Sequence, residues 1–544
     1  MKSSLNVWPS CKRIYEEMIV PLNIIISPSD NSITPINIPS SEKHQCTKCS
    51  AYVSDIFTHK DGKFMCPFCG TVSEFLVEDQ FKLQDYVIQD SPHSLNFYIC
   101  FVFDLRCKNE FIQISECYLK IALQALLPGF KFAFILLHGN FLSFLKIYHG
   151  KCISFDFSLD CRFFELASLD FLLNQSDNID PIIDYISGLK NIENIENSEN
   201  LVHFEDIFKP VPKDKFIHFI VFTSLCEKFS KSHNISFDLI SPSKIKKSVH
   251  IDGLSLSQLN VEDIGLQIQA LVQRLEFNNF ALNVRTCIFA PPLIEVTPQS
   301  IKRSSLRKGT SFTFNISLSK TTTTFTEFPV QIICEYDEPI GWNRCIHKIY
   351  VSSRLFKSSS DFYSILSSVK PEFTAYNFLN QENLQKLFNL YNSKIINSLP
   401  GENIIDPFFT LLPRLRWYIR FFLFGHKNRY HSTLTCQNNL IAVHFPQVSF
   451  WSDENTISAE NVECISFTEE IVGKPLIIVV DHDYKIEIYT STTINPQSGV
   501  DSYIQEKIIS RFPVPRLTIN PMEKFGRFII PEEKWAELIP NLFK

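Results

Sequence analysis

The chain has 544 residues, 45% of them hydrophobic and 20% charged, with a formal net charge of −6 and a sequence pI of about 6.2. One core does not extend over such a length, so about three to five modules are expected, and the balance of apolar and charged residues excludes a largely disordered chain. The acid excess excludes a general basic field for nucleic acid or membrane, so any such surface must come from local patches.

The start, Met1-Lys2-Ser3-Ser4-Leu5-Asn6, lacks the apolar stretch of a secretory signal, and the most apolar window, residues 130–147, is interrupted by Lys131, His138 and Asn140. A cytosolic chain that does not span a membrane is expected. Asn6-Val7-Trp8-Pro9-Ser10 and Met18-Ile19-Val20-Pro21-Leu22 form an apolar prelude. Its prolines forbid a long helix, so it reads as an extended segment that pairs elsewhere.

Cys46, Cys49, Cys66 and Cys69 follow as two C-x2-C pairs sixteen residues apart. That spacing brings four thiolates onto one tetrahedral ion. Between the pairs, Tyr52, Val53, Ile56 and Phe57 are interspersed with polar residues and Asp61-Gly62 supplies a turn, as in a short β-ribbon between knuckles. Zinc fits best, and because four sulfurs close its shell the ion is a staple rather than a catalyst. Two alternatives stand beside it. Four free core cysteines leave the regular spacing unexplained, and a redox dithiol leaves the second pair idle. The other twelve cysteines, at irregular spacing from Cys11 to Cys464, read as small core residues.

Residues 95–103 are a continuous apolar run, a buried strand ending at Asp104. Residues 111–126 place Ile114, Tyr118, Ile121, Ala122, Ala125 and Leu126 at helical spacing before Pro128-Gly129, and 132–137 is a second strand. Strand, helix, strand is a βαβ unit and predicts a mostly parallel sheet. Strands at 216–223 and 235–240 and helices near 180–189 and 262–277 continue it, with a solvated loop at 191–214. From 281 to 352 the pattern changes to short runs at 282–289, 311–318, 328–335 and 345–351, antiparallel strands of a sandwich that the prelude could complete. Lys302, Arg303, Arg307 and Lys308 form a basic cluster, read either as a solvated turn or as a contact for phosphate or anionic lipid.

Residues 359–424 turn helical, with Leu384, Leu387, Phe388 and Tyr391 three and four apart. In 411–426, Arg414, Arg416 and Arg420 alternate with Trp417, Phe421 and Phe422. Such interleaving can bind single strands, but helical spacing favours packing. The last hundred residues read as a compact α/β module. It has a hairpin of 476–480 and 485–489 about Asp481-His482-Asp483, a helix at 500–510, and a helix at 531–543 with Pro531, Glu532 and Glu533 at its start.

Taken together, N-V-W-P-S at 6–10, V-P-L at 20–22 and the four-cysteine ribbon resemble, in that order, the inner coat subunits of COPII vesicles, the Sec twenty-three and twenty-four family. The W-P-S form is similar to the GTPase-activating member. The resemblance implies a multidomain α/β plus β architecture: an N-terminal segment (1–41) pairing with the sandwich, a zinc ribbon (42–76), a von Willebrand A-like trunk (91–277), a β-sandwich (278–355), a helical domain (356–430) and a gelsolin-like domain (431–544). Metal-binding A domains end their first strand D-x-S-x-S. Here the run is Asp104-Leu105-Arg106-Cys107-Lys108, with cations in place of the serines, so no second metal site is expected.

The ending strengthens the resemblance. Ser510-Arg511-Phe512-Pro513-Val514-Pro515-Arg516, followed by Gly526-Arg527-Phe528-Ile529-Ile530, is similar to the S-R-F-P-x-P-R and A-R-F-L-L motifs of the GTPase-activating subunit, so Arg527 inherits the arginine finger. From residue type alone, a solvent-facing arginine after a loop is the ordinary alternative. The implied activity is GTPase activation, help given to a partner's active site rather than an enzyme reaction of its own. The implied partners are a Sar-type small GTPase, a cargo-binding sister subunit, outer-coat subunits and the ER membrane as a peripheral contact. The implied place is the cytoplasm, on ER membrane and COPII vesicles. The competing readings are a coat scaffold without the finger function and the cargo-binding sister itself. A zinc-ribbon nucleic-acid binder is a third class, which the acidic chain disfavours; nucleic acid is not expected as a partner.

Overall fold

The structure is a computed structural model that describes residues 1–18, 22–28, 35–42, 44–60, 63–74, 83–105, 131–138, 141–158, 172–174, 177–189, 215–222, 235–241, 255–258, 280–307, 312–319, 326–361, 364–365, 368, 447–452, 456–457, 476–481, 485–490, 502, 504–507 and 516–524. Outside the described residues lie the expected helices at 111–126, 262–277 and 531–543, the loop at 191–214, Arg106, Lys108, nearly all of 359–430 with Arg414, Arg416 and Arg420, and Arg527.

The apolar run at 95–103 becomes the strand Asn96–Asp104, in which every residue after Asn96 is buried. A strand with both faces covered has no solvent side to mark with polar residues, hence the unbroken apolar sequence. It lies between Lys131–His138 and Lys215–Phe222, parallel to both, and Ile235–Ser241 and Ser255–Gln258 extend the parallel part outward. Phenylalanines fill one face: Phe103 stacks on Phe222 with centroids 4.7 Å apart, and Phe101 on Phe134 at 5.6 Å. On the other side of Lys131–His138 the sheet turns antiparallel, through Phe141–Tyr148 and Lys151–Ser158. The first of these strands comes from the end of the most apolar window of the chain. The helix Asp180–Leu189 covers them with Ile182 and Ile186, four residues apart and both fully buried, and Tyr185 donates to Ser154 Oγ at 2.9 Å.

The second core belongs to a β-sandwich whose strands are gathered from the first ninety-odd residues and from residues 280–359. One sheet orders Lys2–Ser3, Leu22–Ile26, Phe312–Leu318 and Ile294–Thr297. The other orders Ser300–Arg307, Phe280–Phe289, Glu327–Gly341, Arg344–Ser359, Asp85–Gln89 and Ile36–Pro39. The prelude therefore pairs where its prolines directed it: Ile24 lies opposite Phe314, and Val7–Pro9 runs parallel to the end of Arg344–Ser359. Trp8 is fully buried, stacked on Phe356 at 4.5 Å, and its indole N–H donates to Ser3 Oγ at 3.1 Å. A short helix, Lys12–Met18, joins the two prelude strands.

Two sequence expectations change here. The runs at 328–335 and 345–351 are parts of one long hairpin, Glu327–Gly341 with Arg344–Ser359, whose turn-proximal half carries charged residues such as Asp337, Glu338 and Lys348 that hide it from an apolar pattern. The turn reading of the basic cluster is corrected: Lys302 and Arg303 lie within the strand Ser300–Arg307, at the sheet edge, antiparallel to Phe280–Phe289. The edge supplies the reason, because one flank of such a strand needs no apolar neighbour. The Arg303 guanidinium carbon rests 4.7 Å from the centroid of Phe312.

The C-terminal sheet orders Thr456–Ile457, Gln447–Ser452, Leu476–Asp481, Lys485–Thr490 and Arg516–Pro521. The expected hairpin is present, with Val479 opposite Ile488. Arg516–Pro521 runs parallel to Lys485–Thr490, so the chain must cross over between them. Ile504, helical and buried against Ile477, Val479, Ile486 and Ile488, marks that crossover. Among the described residues no helix is long and apolar enough to cross a membrane.

Candidate metal centre

The strands Thr58–Lys60, Lys63–Met65 and Val72–Glu74 form a three-stranded antiparallel ribbon beside two knuckles of the same build. In the first, Cys46 N–H donates to Ala51 C=O and Ser50 N–H to Cys46 C=O, at 2.8 and 2.9 Å. In the second, Cys66 N–H donates to Thr71 C=O and Gly70 N–H to Cys66 C=O, both at 2.9 Å. Each knuckle closes on one residue in the left-handed region, Ser50 at φ 62° and Gly70 at φ 70°. Glycine adopts this conformation freely and serine at some cost, which the hydrogen bonds that close the first knuckle offset.

The two knuckles bring all four sulfurs within 4.8 Å of one another, with Cys46 and Cys69 at 3.5 Å and Cys49 and Cys66 at 3.5 Å. Tetrahedral zinc with Zn–S of about 2.3 Å sets its sulfurs about 3.8 Å apart, between the 3.5 Å of the two close pairs and the 4.8 Å within which the whole set falls, so small adjustments of either sign fit the ion. Three of the thiols titrate unlike one another. Burial pushes Cys49 up to about 11 and raises Cys66 further. At Cys69 burial also pushes upward, but the Thr71 hydroxyl and amide and the Cys46 and Cys49 thiols hold it down to about 6. One thiolate therefore forms readily, and the raised thiols would give up their protons on binding a cation. Among the described residues this is the one group of metal-ligating side chains close enough to share an ion. Asp104 is fully buried at its strand end and belongs to no such group.

The ribbon is fastened to the sandwich by groups that carry no apolar or spacing signal. Gln331, fully buried in Glu327–Gly341, accepts from Tyr52 N–H at 2.7 Å and donates to Tyr52 C=O at 2.6 Å and to Ser353 Oγ at 3.0 Å. Its amide thus replaces a missing backbone neighbour. Tyr86 donates to Val53 C=O at 2.6 Å, and Phe68 leans on Phe289 with centroids 6.0 Å apart. Gln331→Leu keeps the volume but strands both polar groups of Tyr52. It is expected to cost roughly 2–4 kcal/mol of stability and to speed metal release to a chromophoric chelator. A release rate equal to that of the unaltered chain would show that the amide does not hold the ribbon. The one sequence signal for this residue is a lone glutamine within the apolar run Phe328-Pro329-Val330-Gln331-Ile332-Ile333-Cys334.

No family model matches the chain, and no curated protein does. Among solved structures, the human COPII-coat protein Sec24c aligns over 100% of this chain and 93% of its own, with a TM-score of 0.70 at 11% identity. The ArnB paralog VWA2 from Sulfolobus acidocaldarius (10% identity, 56% of this chain and 81% of that one, TM-score 0.26) and a von Willebrand factor type A protein from Catenulispora acidiphila (8%, 56% and 80%, TM-score 0.32) also match, too loosely to carry an argument. Ribbon, parallel trunk sheet and sandwich thus stand in one chain that has the fold of the COPII-coat protein Sec24c.

Proposed function

We propose that this chain is a subunit of a COPII-type inner coat, acting in the cytoplasm at the surface of ER membrane and coated vesicles in ER-to-Golgi transport. The observation that carries the reading is the likeness to Sec24c across the full length of the chain, and not in one module alone. The four-cysteine ribbon and the prelude threaded into the sandwich support it, since both are parts of the family plan that the sequence resembles. The partners on this reading are a sister coat subunit, a Sar-type GTPase and the outer coat. Co-expression with a sister subunit tests it. A heterodimer that survives size-exclusion chromatography is expected, and a chain that elutes alone beside either sister type counts against the proposal.

Within the coat two roles compete, each with its own support. The fold likeness is to Sec24c, which favours a scaffold or cargo-binding subunit. The motifs at 6–10, 510–516 and 526–530 resemble the GTPase-activating member and give Arg527 a catalytic role in trans. The second role rests on definite chemistry. The transition state of GTP hydrolysis gathers charge around the β- and γ-phosphates, and a GTPase without its own arginine there gains from a planar, permanently charged guanidinium supplied by a neighbour. Arg527 itself lies outside the described residues. Multiple-turnover GTP hydrolysis separates the two roles: stimulation supports the finger, and its absence supports the scaffold or cargo-binding role.

A further inference from the structure

We propose that His347, Asp337 and His93 form a pH-responsive latch that fastens the start of the trunk to the β-sandwich. The proposal goes beyond the coat reading and does not rest on it. Asp337 and His347 lie directly opposite each other in the hairpin of Glu327–Gly341 and Arg344–Ser359, and His347 Nδ1 is 2.9 Å from Asp337 Oδ1. The same oxygen is 3.8 Å from His93 Nε2. The other oxygen, Oδ2, accepts from Asn283 Nδ2 at 2.9 Å. Asn283 stands at φ 52° in a register shift of the strand Phe280–Phe289, the place where a strand re-aims a side chain. One carboxylate oxygen is thus held by an amide that does not titrate and the other by two imidazoles that do.

The location gives the pair its leverage. His93–Ser94 is the short strand by which the chain leaves the sandwich, paired with Arg344 and Cys345. Two residues later Asn96–Asp104, the central trunk strand, begins. Phe97 N–H donates to Trp342 C=O at 2.6 Å, Lys131 Nζ lies 4.2 Å over the Trp342 ring, and Cys345 and Leu282 are buried in the trunk core. The imidazole–carboxylate contact therefore sits at the seam between the two cores.

Among the described residues, other charged groups stand near the seam. Asp90, whose N–H donates to His347 C=O at 3.0 Å, and Glu335 both place negative charge near His347. Glu335 lies opposite Arg285, Arg344 lies opposite Ser94, and Glu338 is paired with Lys348. The hydrogen bond to Asp337 raises the His347 pKa against the downward pull of burial, with help from the charges of Asp337, Asp90 and Glu335. Burial pushes Asp337 up, but hydrogen bonds from His347 and Asn283 and the charges of His347 and His93 leave it below the ordinary carboxylate value. A raised histidine contributes stability that is complete below its unfolded value of about 6.5 and is lost as pH rises through the folded value. A lowered aspartate contributes stability present above about 3.9 and lost as pH falls through its folded value. The latch is accordingly tightest between about pH 4 and 6.5 and slackens as pH rises through the raised folded value of His347.

Hydrogen exchange on the full chain, corrected for intrinsic exchange, tests this on segments 90–97 and 342–347 at about pH 6 and about pH 8. The unaltered chain is expected to lose protection in both segments several-fold at the higher pH. His347→Gln is expected to show low protection at both, and His93→Gln a smaller pH response. Equal corrected protection in the unaltered chain at the two pH values overturns the latch. So does a His347→Gln chain that keeps the full pH response. The unaltered-chain comparison decides the matter even if that variant fails to fold.

Discussion

If Arg527 is the finger proposed above, replacing it by alanine is expected to remove nearly all stimulation of a Sar-type GTPase, a loss of about 10³- to 10⁵-fold. The size follows from what is withdrawn. A guanidinium placed against the bridging and γ-phosphate oxygens neutralises charge that develops only in the transition state, so its removal lowers the rate far more than the affinity. Arg527→Lys keeps the charge but not the planar fork of donors, and should recover a small part of the rate. Single-turnover hydrolysis with the GTPase saturated by each variant isolates the chemical step. Equal rates with arginine and alanine would leave the coat reading intact and assign the chain to the scaffold or cargo-binding role.

Removal of the ribbon metal is expected to have the next largest effect. Structural zinc sites contribute about 10–16 kcal/mol of apparent binding energy in small finger peptides, and a metal here would hold together an element with a small core of its own, Ala51, Val53, Ile56, Phe57 and Phe68. Cys46→Ser with Cys66→Ser, or a strong chelator, should release one zinc per chain and melt the ribbon. The damage should spread. Gln331 and Tyr86 would lose the backbone groups of Tyr52 and Val53 that they bind, leaving a fully buried amide and a buried phenol without partners. The sandwich transition in a thermal melt should therefore fall along with the ribbon signal in near-ultraviolet circular dichroism. A melt unchanged by metal removal would show that the cysteines hold no structural ion.

How much of this was legible in the sequence depended on where each residue's partners lie. The trunk strands were plain because Phe97 to Phe103 and Phe216 to Phe222 are buried on both faces, and burial on both faces writes an unbroken apolar run. The four cysteines were plain because metal geometry fixes their spacing locally. Ile36–Pro39 and Asp85–Gln89 were not, since each is a short strand whose only reason to be one is a neighbour distant in sequence. Phe141–Tyr148 was seen only as part of an apolar window, and Lys151–Ser158 was not read at all. Their turn, His149-Gly150, carries positive φ at both residues, as a tight hairpin requires, but lacks the asparagine or aspartate that usually signals it. The cluster at 302–308 looked like a turn because charge dominates it, whereas an edge strand tolerates such charge. Asp337 and His93 lie 244 residues apart and meet only through sheet pairing, so no motif search would join them.

The coat reading is tested most directly by recruitment to liposomes of ER-like composition. With a Sar-type GTPase locked by a non-hydrolysable GTP analogue, the chain and its sister subunit should co-sediment with the vesicles, and both should stay in the supernatant when the GTPase carries GDP. Recovery that is the same in either nucleotide state, or none in both, would contradict it.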